Sequence, residues 1–275
     1  MKSFLLIGQS NMAGRGFVHE VPSIYNERIG MLRNGRWQMM TEPINYDRPV
    51  AGVSLAASFA EAWCRMNPDE KIGLIPCAEG GSSIDEWETE GVLFRHAVSE
   101  AKFAVENSEL AGILWHQGES DSDSGKYKTY YEKLYRLVTD LREALNAADI
   151  PFIIGGLGDY LGKTAFGAGC IEYERINQEL QRFAEENPCC YFVTAKGLTA
   201  NPDGIHINAV SQRSLACGTL RLIVSGSISN SRWLRKTGSW TGVTTGIIQR
   251  RKRDIWHLKG LLREKYHTKS SGRLL

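Results

Sequence analysis

Nowhere in this chain of 275 residues does an apolar run approach the roughly 18 residues that cross a bilayer, so no membrane span is expected. Nor does a basic, apolar leader with a small-residue cleavage site precede the first strand-like stretch; Lys2 runs straight into "SFLLIG". The chain as written is therefore expected to be cytoplasmic, or secreted if a leader has been removed. The six cysteines, Cys64, Cys77, Cys170, Cys189, Cys190 and Cys217, form no CxxC pair and no regular spacing. That pattern disfavours a zinc knuckle or a disulfide framework, and buried or semi-buried free thiols are expected. There is no internal repeat. The Gly-rich "GGLGDYLG" at 155–162 has no Walker lysine, which weighs against a nucleotide-binding fold. No apolar segment reads as a lipase lid.

What is present is an ordinary globular composition, 42% hydrophobic and 23% charged. The net charge of +2 hides an asymmetry. Residues 227–275 hold 12 Lys/Arg against 2 Asp/Glu, which leaves the preceding body with 21 basic and 29 acidic residues, a net −8. The reading is one domain over 1–226 followed by a basic extension over 227–275. The stretch "QRRKRDIWHLKGLLREKYH" in that extension fits a basic amphipathic helix for an acidic partner or a membrane surface. A poorly packed extension is the plainer reading. With an acidic body, no nucleic-acid partner is expected, and nothing sets an oligomeric state.

The body alternates strand-like and helix-like segments. "SFLLIG", "KIGLIPC" (Lys71–Cys77), "AGILWHQG" (Ala111–Gly118), "IPFIIGGLG" (Ile150–Gly158) and "CYFVTA" (Cys190–Ala195) are short and continuously apolar, as strands buried on both faces must be. Helical spacing predicts helices over Ser54–Asn67, with Ser54 as N-cap, and over Val92–Asn107, Tyr127–Ala147, Ile171–Asn187 and Asn208–Gly226. Alternation of this kind implies right-handed crossovers and a parallel sheet. The expected fold is α/β: a three-layer α/β/α sandwich with a five-stranded parallel sheet, flavodoxin-like in outline. Asn26–Arg48 reads as a long irregular insertion.

In such sheets, ligands bind beyond the carboxyl ends of the strands. Each strand is followed there by a polar or Gly-rich cluster: "GQSNMAG", "AEGGSSIDEW", "HQGESDSDSG", "GLGDYLG" and "NPDGIHIN". Ser10, in the first cluster, is the candidate nucleophile. It does not sit in a Gly-x-Ser-x-Gly elbow, because Met12 occupies the last glycine position. A serine needs an imidazole base oriented by a carboxylate, and Asp203 and His206 supply both at the same sheet edge. The rival readings are a serine that caps a helix and a surface histidine after an Asp turn. Acyl transfer also needs donors for an oxyanion, and the Ser10 N–H, the Gly80–Gly81 backbone and the Gln117 side chain are candidates. The acidic "ESDSD" (Glu119–Asp123) reads as a solvated or capping loop, and no metal is assigned.

Together, "GQSNMAG", "GGSS", "WHQGESD" and "DGIH" resemble the motif blocks of the SGNH hydrolase superfamily. More narrowly they resemble its sialate O-acetylesterase-like branch, which includes acetylxylan esterases of carbohydrate esterase family six. The likeness runs in order and spacing from about Ser3 to Gly226. It implies the SGNH fold and cofactor-free removal of O-acetyl groups from sugars, with an acetylated carbohydrate as partner. It implies Ser10 as nucleophile, His206 as base and Asp203 as its orienting carboxylate. For the oxyanion hole it implies Ser10 and Gly81, with Gly80 as the neighbouring possibility. The third block departs from the superfamily, which has an Asn donor there; Gln117 takes the role, with Ser120 in reserve. Gln9, Asn11, Gly80, Glu119 and Ser120 are expected to bind substrate or support the loops, Glu119 chiefly through a structural network. Trp87, Trp115 and His116 are candidates to line a sugar site, although core packing is favoured for Trp115. The alternatives are an esterase, lipase or thioesterase of the same superfamily acting on other acyl groups, and a non-catalytic carbohydrate-binding protein.

Overall fold

The apolar run Phe4–Ile7 becomes the middle of a central strand, and its burial explains why it lacks alternation. In the computed structural model, which describes residues 1–224, all four side chains are sealed from solvent. Phe4 meets Phe59 and Trp63 edge-on, at centroid distances of 4.9 and 5.1 Å, on one face of the sheet. Leu5 and Ile7 join the larger apolar cluster on the other face. Each such side chain removed from water contributes about 1.5–3 kcal/mol.

That strand, β1 (Lys2–Gly8), precedes a four-residue helix, α1 (Ser10–Ala13). The strands β2 (Ile29–Arg33) and β3 (Arg36–Met39) follow. After them helices and strands alternate: α2 (Leu55–Met66), β4 (Ile72–Pro76), α3 (Val92–Ala104), β5 (Glu109–His116), α4 (Tyr127–Ala144), β6 (Phe152–Gly155), α5 (Tyr173–Glu186), β7 (Cys190–Val193) and α6 (Ala209–Val224). The sheet order is β3-β2-β4-β1-β5-β6-β7, and every pairing is parallel except the antiparallel β2–β3. Helices α2 and α6 pack together, and α4 packs with α3 and α5.

The five expected strands are all present, in the flavodoxin-like order. The sheet nevertheless has seven strands, because the segment read as an irregular insertion contributes β2 and β3. The cause is a two-residue hairpin at Asn34–Gly35, both with positive φ (52° and 67°). Its handedness matches the twist of paired strands, and Asn-Gly is the favoured dipeptide for it. The helix ends differ from expectation by a few residues. Ser54 caps α2 as expected, its hydroxyl accepting the Ala56 N–H at 3.3 Å. Cys64, Cys77, Cys170 and Cys190 are buried free thiols, and Cys189 is a half-buried one. No helix among the described residues is long and apolar enough to cross a membrane. The basic extension, 227–275, lies outside the described residues.

Candidate active site

The turn that carries Ser10 is fixed by the strands on either side of β1. Gln9 N–H donates to the His116 carbonyl (2.9 Å) at the end of β5, and the Gly8 carbonyl accepts from Glu79 N–H (3.0 Å) beyond β4. Gly8 has φ +127°, and a Cβ there would collide with the His116 carbonyl, so only glycine lets the chain leave the strand this way. Ser10 follows at once. It is only 6% exposed, and its Oγ lies 3.0 Å from His206 Nε2.

His206 reaches Ser10 from the loop between β7 and α6. Its Nδ1 lies 2.8 Å from Asp203 Oδ2. The other oxygen of Asp203 accepts the backbone N–H groups of Ile205 (3.0 Å) and His206 (2.9 Å), which fold the Asp-x-x-His segment into one turn. Burial pushes the Asp203 carboxyl up. The donors from His206 and Ile205 outweigh that and hold it below the usual carboxylate range. Ser10, His206 and Asp203 thus form a continuous chain of hydrogen bonds, the arrangement that activates a serine hydroxyl.

Asn11, fully buried, ties this loop to the serine turn. Its Oδ1 accepts Ile207 N–H at 2.8 Å and its Nδ2 donates to the Ile205 carbonyl at 3.1 Å. Its Nδ2 also donates to Glu119. Glu119 Oε1 lies 3.5 Å from His116 Nε2, with both side chains sealed from solvent. Burial pushes the Glu119 carboxyl up, but the neighbouring His116 and Asn11 hold it below its ordinary value. Gln9 braces the third block: its Oε1 accepts Gly118 N–H (3.2 Å) and Ser120 N–H (3.3 Å).

The oxyanion donors need a correction. Gln117 is 0% exposed, and its amide is committed elsewhere. Nε2 donates to the Ser82 carbonyl (3.1 Å) and to Asp121 Oδ2 (2.6 Å), while Oε1 accepts the Tyr130 hydroxyl (2.7 Å). It braces the loops and has no hydrogen left for a substrate oxygen. Ser120 donates its hydroxyl to the Gly81 carbonyl at 3.1 Å. The Gly80 N–H is bonded to Asp47 Oδ2 at 2.9 Å. By contrast, the N–H groups of Ser10 and Gly81 make no hydrogen bond among the described residues. Among the aromatic candidates Trp115 packs in the core as expected, and Trp87 and His116 are corrected. Trp87 and Trp115 are buried against each other edge-on at 5.5 Å, and His116 is buried, so none of the three offers an exposed ring face to a sugar. Asp47 was not singled out from the sequence; an isolated aspartate in a long connection carries no spacing signal. Among the described residues no group of three or more His, Cys, Asp or Glu is placed to hold a metal ion.

A family model described as carbohydrate esterase, sialic acid-specific acetylesterase, matches residues 1–221. A probable carbohydrate esterase of Arabidopsis thaliana is 30% identical over 244 residues, covering 81% of this chain and 90% of the relative. A crystal structure of a protein from Arabidopsis thaliana has a TM-score of 0.72 at 30% identity, covering 82% of this chain and 98% of that one. The structure of NanS, at 18% identity, has a TM-score of 0.69 and covers 84% of this chain and 98% of its own, a likeness of fold.

Proposed function

Since the chain belongs to the carbohydrate esterase, sialic acid-specific acetylesterase family and is a carboxylic ester hydrolase, we propose that it removes O-acetyl groups from sugars with Ser10 as nucleophile. The observation that supports this most is the unbroken relay Ser10 Oγ–His206–Asp203, at 3.0 and 2.8 Å.

His206 Nε2 takes the hydroxyl proton as Ser10 Oγ attacks the acetyl carbonyl carbon. Asp203, kept ionised, holds the ring through Nδ1 and stabilises the imidazolium that forms. The carbonyl oxygen becomes an oxyanion, for which the N–H groups of Ser10 and Gly81 are the available donors. His206 then gives its proton to the departing sugar oxygen, and the C–O bond to the sugar breaks, leaving acetyl-Ser10. Water attacks that ester, with His206 taking its proton, and acetate leaves as the proton returns to Ser10.

The test is hydrolysis of p-nitrophenyl acetate, butyrate and octanoate, followed by acetylated sugars, for wild type and Ser10→Ala. Turnover of acetate with poor use of longer chains, lost in Ser10→Ala, is expected. Equal turnover by Ser10→Ala would overturn the assignment of the nucleophile, and a preference for octanoate would overturn the acetyl assignment.

A further inference from the structure

Three loops must meet for the proposed reaction: the Ser10 turn, the Gly80–Gly81 turn and the His206 loop. The two residues of one ion pair touch the first two and, through the Arg15 carbonyl and Asn201, the third, and neither takes part in the proton transfers above. Arg15 and Asp47 face each other as a two-pronged pair. Arg15 Nη1 lies 3.2 Å from Asp47 Oδ1, and Nη2 pairs with Oδ2. The pair is shut away from water, the Asp47 side chain being 1% exposed and that of Arg15 6%. Burying two charges is costly, and a well-packed apolar pair often does as well for stability. What this pair adds is direction.

The contacts run outward from it. Arg15 Nη1 donates to the Gly14 carbonyl (2.8 Å), just after the serine helix. The Arg15 carbonyl accepts from Asn201 Nδ2 (2.8 Å), and Asn201 N–H donates to the His206 carbonyl (2.7 Å). Asp47 Oδ2 accepts the Gly80 N–H at 2.9 Å. A Cβ at position 80 would fall 2.6 Å from Asp47 Oδ2 and closer still to the Arg15 guanidinium, so the pair would have to move to admit one. With the Gly80 N–H spoken for, the next one along, on Gly81, is left without a partner among the described residues.

We propose that Asp47, oriented by Arg15, is a positioning residue that sets the Gly80–Gly81 turn so that the Gly81 N–H serves the oxyanion. This rests on the serine-esterase reading. Asp47 touches neither substrate nor nucleophile; it acts through the Gly80 peptide. The carboxylate captures one of two consecutive N–H groups and thereby anchors the peptide that adjoins the one bearing the other. A shift of about 1 Å in a donor of this kind costs on the order of 10²-fold in rate.

The experiment measures p-nitrophenyl acetate hydrolysis per active site, the sites being counted by the burst from an organophosphate that phosphorylates the nucleophilic serine. Asp47→Ala is expected to lower kcat per counted site about 10²-fold with KM within about twofold. Inhibition by a boronic acid, which mimics the tetrahedral intermediate, should weaken by the same factor as kcat/KM falls. Asp47→Asn keeps an oxygen for the Gly80 N–H while leaving Arg15 without its counter-charge, and it should lose less. Gly80→Ala keeps both charges but displaces them, so it reads the same arrangement if Asp47→Ala does not fold. A merely structural pair would lower the number of active sites and leave kcat per site and boronate affinity unchanged, and that result would overturn the proposal. Hydrolysis that survives Ser10→Ala sinks the serine-nucleophile reading and this one with it. Ser10-dependent hydrolysis with unaltered Asp47 and Gly80 variants sinks the positioning role alone.

Discussion

Asn11 donates its side-chain amide to Glu119, a residue 108 positions away in the chain and sealed from solvent. The same side chain holds the backbone of Ile205 and Ile207, the two neighbours of His206. Glu119 therefore acts on the candidate base at one remove. Glu119→Ala should destabilise the fold by about 2–3 kcal/mol, the scale for losing a hydrogen bond to a buried charge. It should also lower kcat, as Asn11 loosens its hold on the His206 segment. Glu119→Gln, which still offers Asn11 an oxygen, should retain more of both. Urea midpoints read beside acetate turnover check this.

Asp203 gives a pH dependence with a definite sign. Its carboxyl titrates lower in the folded protein than the roughly 3.9 of an unfolded chain. A carboxylate depressed by folding stabilises the native state above its unfolded value, and that contribution disappears as pH falls through the folded value. The stability gap between wild type and Asp203→Asn should therefore be constant at neutral pH and close in acid. Denaturant titrations from pH 7 to pH 2 would show it. Turnover by Asp203→Asn should fall on the order of 10⁴-fold, as the ring loses its orienting charge.

Gln117 should prove a brace. Removing an oxyanion donor costs about 10²–10³-fold in kcat. Gln117→Ala should instead change kcat per folded molecule by less than about tenfold, while stability drops by roughly 1–3 kcal/mol for each buried group left unpaired. Asp121, whose carboxyl burial already lifts above its usual value, loses a donor in that variant. Thermal unfolding and turnover measured together separate the two roles.

Trp115 is a core residue, 0% exposed and wedged against Trp87. Trp115→Phe should lower stability by about 1–3 kcal/mol. KM for acetylated sugars should stay within about twofold, because no ring face is offered to a substrate. A large rise in KM without loss of stability would count against this placement.

The elements that could be read from residue order were those with a short-range cause. A continuous apolar run ending in glycine marks β1 and places Ser10. Asp203 and His206, three apart, can close a turn on themselves. The expected sandwich followed from strands and helices that alternate. What escaped had a different cause. The hairpin over Ile29–Met39 carries its signal in Asn34–Gly35, a two-residue cue within an otherwise polar stretch. Gln117 was misplaced because residue type says what a side chain can donate, not which way it turns. Parity along β5 points the way it does turn. Ile113 and Trp115 belong to the apolar cluster that also holds Tyr130, and Gln117 continues that alternation to meet the Tyr130 hydroxyl. Asp47 had no local cue at all, since its partners Arg15 and Gly80 lie 32 and 33 positions away.

Ser10 and His206 stand 196 positions apart, so the first and last strand-end loops of the described fold meet in one hydrogen bond. In the order of synthesis Ser10 precedes six of the seven strands, and His206 follows all seven. β1 is also interior to that sheet, flanked by β4 and β5, and has no lasting place until both exist. Ser10 and His206 can consequently meet only once all seven strands have been made. Their hydrogen bond is a product of finished topology.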